Sequence, residues 1–216
     1  FFPESNKVTL VPRGVDTREF HPMQKDVALL KQFSIVDGDK VIICVANLSP
    51  VKKVELLINA FELLCKNEDR LKLIIVGSNE NDYAKELLTL ANSKSCHNKI
   101  YFTGRVYNVK DYYSIADIFV LPTSSIGEGC PVSMLEAMAS GIEVVASNVS
   151  GINDVLRPFP DNMFNPGDEH DLYEKINAVL NNSISKKDDL LRHVREKYDI
   201  KIEANKHANI YEKILG

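Results

Sequence analysis

The sequence predicts an α/β fold, a parallel sheet with helices on both faces, and three observations carry the prediction. Residues 41–46, 72–76, 118–121 and 143–146 are nearly unbroken apolar runs, the signature of strands buried on both faces. Helical patterns lie between them, and such alternation implies parallel strands joined by right-handed crossovers. The chain has 216 residues, 44% of them hydrophobic, which is enough for one domain with a full core.

The elements follow in chain order. Residues 54–65 set Leu56, Leu57, Ala60, Phe61 and Leu64 along one side of a helix, and residues 82–92, 109–116 and 131–140 read the same way. Residues 98–103 supply a shorter strand ending at Gly104. A last helix spans 168–182, opened by Asp168 as N-cap, with Leu172, Ile176 and Val179 as its stripe. Phe33, Phe61 and Phe119 are expected in the core, and Tyr107, Tyr112 and Tyr113 as packing on helix flanks. The domain proper is assigned to residues 26–183. Residues 1–25 read as an interdomain linker and edge segment, with a short strand at 8–11 running into turn chemistry at Pro12-Arg-Gly-Val-Asp16. Residues 184–216 form a charged helical tail, broken around Tyr198-Asp199-Ile200, with Ala204, Ala208, Tyr211 and Leu215 as a thin apolar stripe.

Composition excludes several classes. A net charge of −4 without a basic stripe argues against a nucleic-acid partner. Cys44, Cys65, Cys96 and Cys130 include no C-x-x-C pair, which fits reduced cytoplasmic thiols better than disulfides or a metal site. No apolar run approaches the roughly 20 residues of a membrane-spanning helix, and Phe1-Phe-Pro-Glu4 lacks the charged start of a signal peptide. His21, His97, His170, His193 and His207 are scattered, so no zinc or Ser-His-Asp pattern forms.

The chemistry concentrates in Glu128-Gly-Cys-Pro-Val-Ser-Met-Leu-Glu136, which sets two carboxylates around a helix start. Pro131 suits the first turn, where a missing N–H costs nothing, and Val132, Leu135 and Ala139 give an apolar face toward the sheet. Glu128 then lies in the loop and Glu136 inside the helix. Free N–H groups at residues 129–132 and the helix dipole face an anion, most plausibly a diphosphate. Carboxylates beside such a site suit sugar or ribose hydroxyls rather than phosphates.

Several segments together resemble the C-terminal domain of retaining family-4 glycosyltransferases, enzymes of two Rossmann-like domains (type B). They are Pro12-Arg-Gly-Val-Asp16 with Phe20 and Pro22, Ala46-Asn-Leu-Ser-Pro-Val-Lys-Lys53 leading to Ala60-Phe61, Val76-Gly-Ser78, Phe102-Thr-Gly-Arg-Val106, Ala116-Asp-Ile-Phe-Val-Leu-Pro-Thr-Ser124, the acidic motif, Gly151-Ile-Asn-Asp-Val155, Asn165-Pro-Gly-Asp168 and Ile210-Tyr-Glu-Lys-Ile214. The resemblance implies a Rossmann-like domain that transfers a sugar from a UDP- or GDP-sugar with retention, without an obligatory metal or other cofactor. The acceptor site would lie in a preceding N-terminal domain. The products implied are glycans, lipopolysaccharide or capsule, and the full-length enzyme would work in the cytoplasm, with peripheral attachment to the inner membrane face as an option.

By that resemblance Lys52 neutralises the departing diphosphate and, with Glu128, forms the catalytic pair. Glu128 holds hydroxyls of the donor sugar and Glu136 those of the ribose. The loop Gly104-Arg105-Val106 reads the base, and Asn47, Ser49, Gly129, Cys130, Pro131 and Val132 line the donor. Asn47 replaces the family's arginine and Lys53 the glycine that follows the lysine, so one of two expected cations is absent. Cys130 reads as packing rather than as a nucleophile, and Lys53 as a solvated charge. Two rivals remain open: a non-catalytic nucleotide-sugar-binding or interaction module, and an epimerase or phosphorylase on the same fold.

Overall fold

The computed structural model describes residues 8–124 and 128–215; the reading of Phe1 to Glu4 as unlike a signal peptide falls outside them. Six strands form one sheet: β1 (Lys40–Val45), β2 (Leu71–Val76), β3 (Ile100–Gly104), β4 (Ile118–Leu121), β5 (Glu143–Ser147) and β6 (Met163–Phe164). Every pairing is parallel, in the order β3-β2-β1-β4-β5-β6. Alternate side chains of each strand enter two separate cores. Val41, Ile43, Ile74 and Phe119 point to one and Ile42, Cys44, Leu73 and Val120 to the other. Both faces are therefore buried, and this is why the strands are apolar without alternation.

Helices α2 (Val54–Leu64), α3 (Asp82–Ser93) and α7 (Glu169–Leu180) cover the second core. The first is covered by α4 (Val109–Ser114), α5 (Val132–Ala139), α6 (Ile152–Leu156) and α8 (Lys187–Lys197). Helix α1 (Val27–Gln32) opens the unit with Asp26 as its cap, which accepts from the Leu29 N–H at 2.8 Å. Asp168 caps α7 as its sequence position suggests, accepting from the Asp171 N–H at 2.9 Å.

The expected strand at 8–11 does not form; among the described residues the segment has no strand partner, and Val8 and Leu10 are exposed. What docks is the turn after it. Val15 makes an isolated parallel bridge to Asp199, with its N–H on the Tyr198 carbonyl at 2.8 Å and its carbonyl accepting from Ile200 at 2.9 Å. Gly14 donates to Glu203 of α9 (Ile200–Leu215) at 2.7 Å. Of the charged tail, α8 packs against α5 with Leu190 and Val194 fully buried, whereas α9 buries no residue and exposes Tyr211, Ile214 and Leu215.

Candidate functional site

Sheet order reverses between β1 and β4, so the connections leaving their carboxyl ends run to opposite sides and open a crevice there. The β1 loop carries Asn47, Ser49 and Lys52, the β4 loop Glu128 and the helix after it Glu136; Asn47, Lys52 and Glu136 line the crevice, and Ser49 and Glu128 are not among its lining residues. The two loops are tied directly, with the Ser124 N–H on the Val51 carbonyl at 2.7 Å. Between them lies a cleft of about 370 Å³, lined by Val45, Asn47, Lys52, Arg105, Val106, Val132 and Glu136 among others. That volume suits part of a nucleotide-sized ligand.

Lys52 ends a short 3-10 turn begun at Ser49 and forms an ion pair with Glu128; the two side chains are 18% and 13% exposed. The same carboxylate oxygen, Oε2, accepts from the buried Thr123 hydroxyl at 3.0 Å. Lys53 lies 3.4 Å from Glu55, and its side chain is 42% exposed. Its φ of +49° is the left-handed region that favours glycine, which accounts for the family's glycine at this place.

Helix α5 starts one residue later than expected. Pro131 is its buried N-cap and Val132 its first helical residue. Val132 does not pack on the sheet as the apolar pattern suggested; it is 36% exposed and borders the cleft, while Met134, Leu135, Met138 and Ala139 fill the core. The Met134 and Leu135 N–H groups donate to the Pro131 carbonyl at 3.0 and 3.1 Å. Among the described residues, the N–H groups of Val132 and Ser133 have no acceptor. At α2 the comparable N–H of Val54 is taken by the Tyr83 hydroxyl at 3.0 Å. The first-turn donors of α5 are thus open to this cleft.

Glu136 is half-buried one turn into α5, and burial pushes its carboxyl above the ordinary range, a shift the Tyr113 hydrogen bond opposes. The Tyr113 hydroxyl lies 3.0 Å from Glu136 Oε2 and 3.1 Å from the Ser133 carbonyl. Sequence reading assigned Tyr113 to packing alone. Its ring does pack edge-on against Phe20 and Phe119, but its hydroxyl reaches the site. Gly104 is buried at the end of β3, and Arg105 is exposed at the cleft with Val106 behind it. Gly129 is exposed, and Cys130 is half-buried, its thiol held up by burial and donating to the Arg13 carbonyl at 3.8 Å.

Gly151 had no assigned role and proves necessary to the site loop. A Cβ there would stand 2.0 Å from the Glu128 carbonyl oxygen and 2.5 Å from that of Gly129, at a φ of +84°. The loop carrying Glu128 passes where any side chain would be. The signal was present in the motif Gly151-Ile-Asn-Asp-Val155, but its partner lies 23 positions upstream, since 151 − 128 = 23.

The residue pattern of the family Glycosyl transferases group 1 matches residues 28–197, most of the chain and every element of the crevice. The chain belongs to that family. Alpha-monoglucosyldiacylglycerol synthase of Streptococcus pneumoniae is 28% identical to this glycosyltransferase-family domain over 179 residues, covering 79% of this chain and 39% of the synthase. The chain thus spans about two fifths of that relative's length. Among solved structures, a glycosyltransferase of Rickettsia africae superposes with a TM-score of 0.88 at 17% identity, over 97% of this chain and 58% of that one. Anabaena HepE, solved in complex with UDP and glucose, superposes with a TM-score of 0.81 at 21% identity, over 92% of this chain and 55% of its own. These likenesses establish a Rossmann-like α/β fold shared with glycosyltransferases. Among the described residues, no helix of this family member is long and apolar enough to cross a membrane.

Proposed function

We propose that this domain binds the nucleotide-sugar donor of a retaining glycosyltransferase, with the acceptor held by a second domain of a longer protein. One observation carries the reading: a single crevice at the switch point gathers the Lys52 cation, the unpaired first-turn N–H groups of α5 and the Glu136 carboxylate. Together the three are complementary to two parts of one ligand, its diphosphate and its ribose. A departing nucleoside diphosphate develops charge on its β-phosphate, and preorganised donors at that position stabilise the transition state more than the ground state. Lys52 and the Val132 and Ser133 amides supply them without a metal. Glu136 accepts from the ribose hydroxyls, and Glu128 from hydroxyls of the sugar. The base lies against Gly104, Arg105 and Val106, and Asn47 is a neutral donor beside the phosphates. Gly129, Cys130 and Pro131 bring backbone close to the sugar, and Ser49 begins the turn that presents Lys52.

Glu128 and Glu136 are not a hydrolase pair in this reading. One is already engaged with a cation and the other lies in a helix, with contacts at opposite ends of the donor. The work of the whole protein is glycan, lipopolysaccharide, capsule or glycolipid assembly in the cytoplasm or at the inner membrane face. The name of the pneumococcal relative, a synthase of a glucosylated diacylglycerol, is compatible with the lipid option. A second reading, a non-catalytic interaction module, is favoured by Asn47, which removes one cation from the phosphate site.

Calorimetric titration separates the two. Binding of UDP or GDP that is weakened by Lys52→Ala and by Glu136→Ala supports a working donor site, and absence of binding to both supports the module. Robust glycosyl transfer by this chain alone would overturn the placement of the acceptor in a second domain.

A further inference from the structure

We propose that two buried hydroxyls outside the acidic motif, Thr123 and Tyr113, are positioning residues that each aim one carboxylate of the donor grip, Thr123 acting on Glu128 and Tyr113 on Glu136. The inference rests on the donor-site reading above.

The two arrangements share one geometry. Thr123 follows β4, is fully buried, and sets Oγ1 3.0 Å from Glu128 Oε2, the oxygen that also takes the Lys52 ammonium. Tyr113 comes from α4, is 1% exposed, and sets its hydroxyl 3.0 Å from Glu136 Oε2. In each case Oε2 is engaged, and Oε1 has no hydrogen-bond partner among the described residues. A carboxylate anchored by one oxygen cannot swing freely, so the other oxygen is presented in a fixed direction. This lowers the ordering cost when a ligand hydroxyl arrives.

The choice of donor also matters. A hydroxyl fixes a carboxylate without cancelling its charge, so Glu136 remains an anionic acceptor, whereas a lysine there would compete with the ligand. Burial pushes the Tyr113 phenol well above its ordinary range, so it remains a protonated donor at any working pH. Both residues belong to the stretch that builds the switch point, one in the helix before β4 and one just after the strand. They anchor opposite ends of the motif from the same unit. The consequence is a division of labour: Thr123 governs recognition of the sugar, and Tyr113 recognition of the ribose.

Calorimetry on the whole chain tests this with UDP or GDP, whichever the wild type binds, the matching glucose or mannose conjugate, and the 2′,3′-dideoxy nucleoside diphosphate. Thr123→Val is expected to weaken the sugar conjugate about fivefold, the scale of one hydrogen bond, while the bare diphosphate changes less than about twofold; Thr123→Ser restores affinity. Tyr113→Phe keeps the ring contacts to Phe20 and Phe119 and is expected to weaken both ribose ligands about fivefold, leaving the dideoxy analogue unchanged. In a Glu136→Ala background Tyr113→Phe should cost nothing more. Uniform losses for all ligands, or an additive loss in the double variant, would mean a purely structural role and overturn the proposal. A wild type that binds no nucleotide sinks the donor-site reading itself and this inference with it. A wild type that binds and discriminates, beside variants with the same pattern, sinks the inference alone.

Discussion

Glu143 and Glu136 are carboxylates of the same α/β unit at opposite edges of its sheet, and the fold treats them in opposite ways. Glu143 begins β5 at the amino edge and is 5% exposed. Its Oε1 accepts from the Asn162 amide at 2.8 Å, and its Oε2 accepts from the Lys186 and Lys187 N–H groups, at 2.8 and 2.9 Å, where α8 starts. Both oxygens are occupied by parts of the scaffold. Glu136, which lines the cleft, receives one neutral donor on Oε2, and its Oε1 has no hydrogen-bond partner among the described residues. A carboxylate with its valences filled by the fold is structural; one left partly unfilled beside unpaired N–H groups is available to a ligand.

The first way to break this comparison is to remove the scaffold carboxylate. Glu143→Ala removes the acceptor of one Asn162 amide hydrogen, whose nitrogen keeps its bond to the Val144 carbonyl, and of two N–H groups at the α8 N-terminus, and the expected loss is about 3 kcal/mol of unfolding free energy. Denaturant titration measures it, and nucleotide affinity of the protein that remains folded should not change. Next in size, Lys52→Ala removes the ammonium from a nearly enclosed ion pair. Affinity for a nucleoside diphosphate should fall about 30-fold, equivalent to about 2 kcal/mol. Glu136→Gln should weaken the nucleotide about tenfold while stability stays level or rises, because the neutral amide escapes the cost of burying charge.

Burial raises the Glu136 carboxyl above its ordinary value, and this gives a pH signature with a definite sign. The folded state binds that proton more tightly than the unfolded chain, so Glu136 erodes stability as pH climbs past the ordinary carboxylate value and reaches its full penalty above the raised one. Ligand binding runs the other way. Affinity for a nucleotide sugar, whose doubly esterified diphosphate does not titrate in this window, should begin to fall while pH is still above the ordinary carboxylate range, and the dependence should vanish in Glu136→Gln. A titration series over pH with both proteins checks it.

The smallest expected effect concerns Lys53, whose left-handed backbone at φ +49° is strained for a side-chain residue. Lys53→Gly should raise stability by up to about 1 kcal/mol, as relief of that strain outweighs the gain in unfolded-state entropy. The loss of the ion pair to Glu55 offsets part of it, since half-exposed pairs contribute little.

What the sequence disclosed follows from the range of the physics involved. Strands buried on both faces and helices with an apolar stripe are local patterns, so β1 to β5 and α2, α3, α4, α5 and α7 were legible to within a few residues. Short elements were not. The six residues of α1, the five of α6 and the two of β6 carry too little periodicity to show. The apolar run at 8–11 read as a strand because its residues favour one, but no neighbouring edge takes it up. Lys52, Glu128 and Glu136 could be placed because motif order and the crossover rule bring the β1 and β4 loops together. Thr123, Tyr113 and Gly151 could not. Thr123 and Tyr113 act through one oxygen, and Gly151 through its missing Cβ, on residues brought near by tertiary packing, and a buried Tyr looks like core whether or not its hydroxyl has work to do. The α8 helix also hid its role, because its charged composition masks Leu190 and Val194, which lie inside.

The central claim is that one crevice grips a nucleotide sugar by its diphosphate and its ribose at once. A crystal structure with UDP or GDP bound tests it most directly. The account requires the diphosphate on Lys52 Nζ and the Val132 and Ser133 N–H groups, with the ribose hydroxyls on the free oxygen of Glu136. A nucleotide seated elsewhere, or one in this cleft with Glu136 and Lys52 both out of contact, would contradict it.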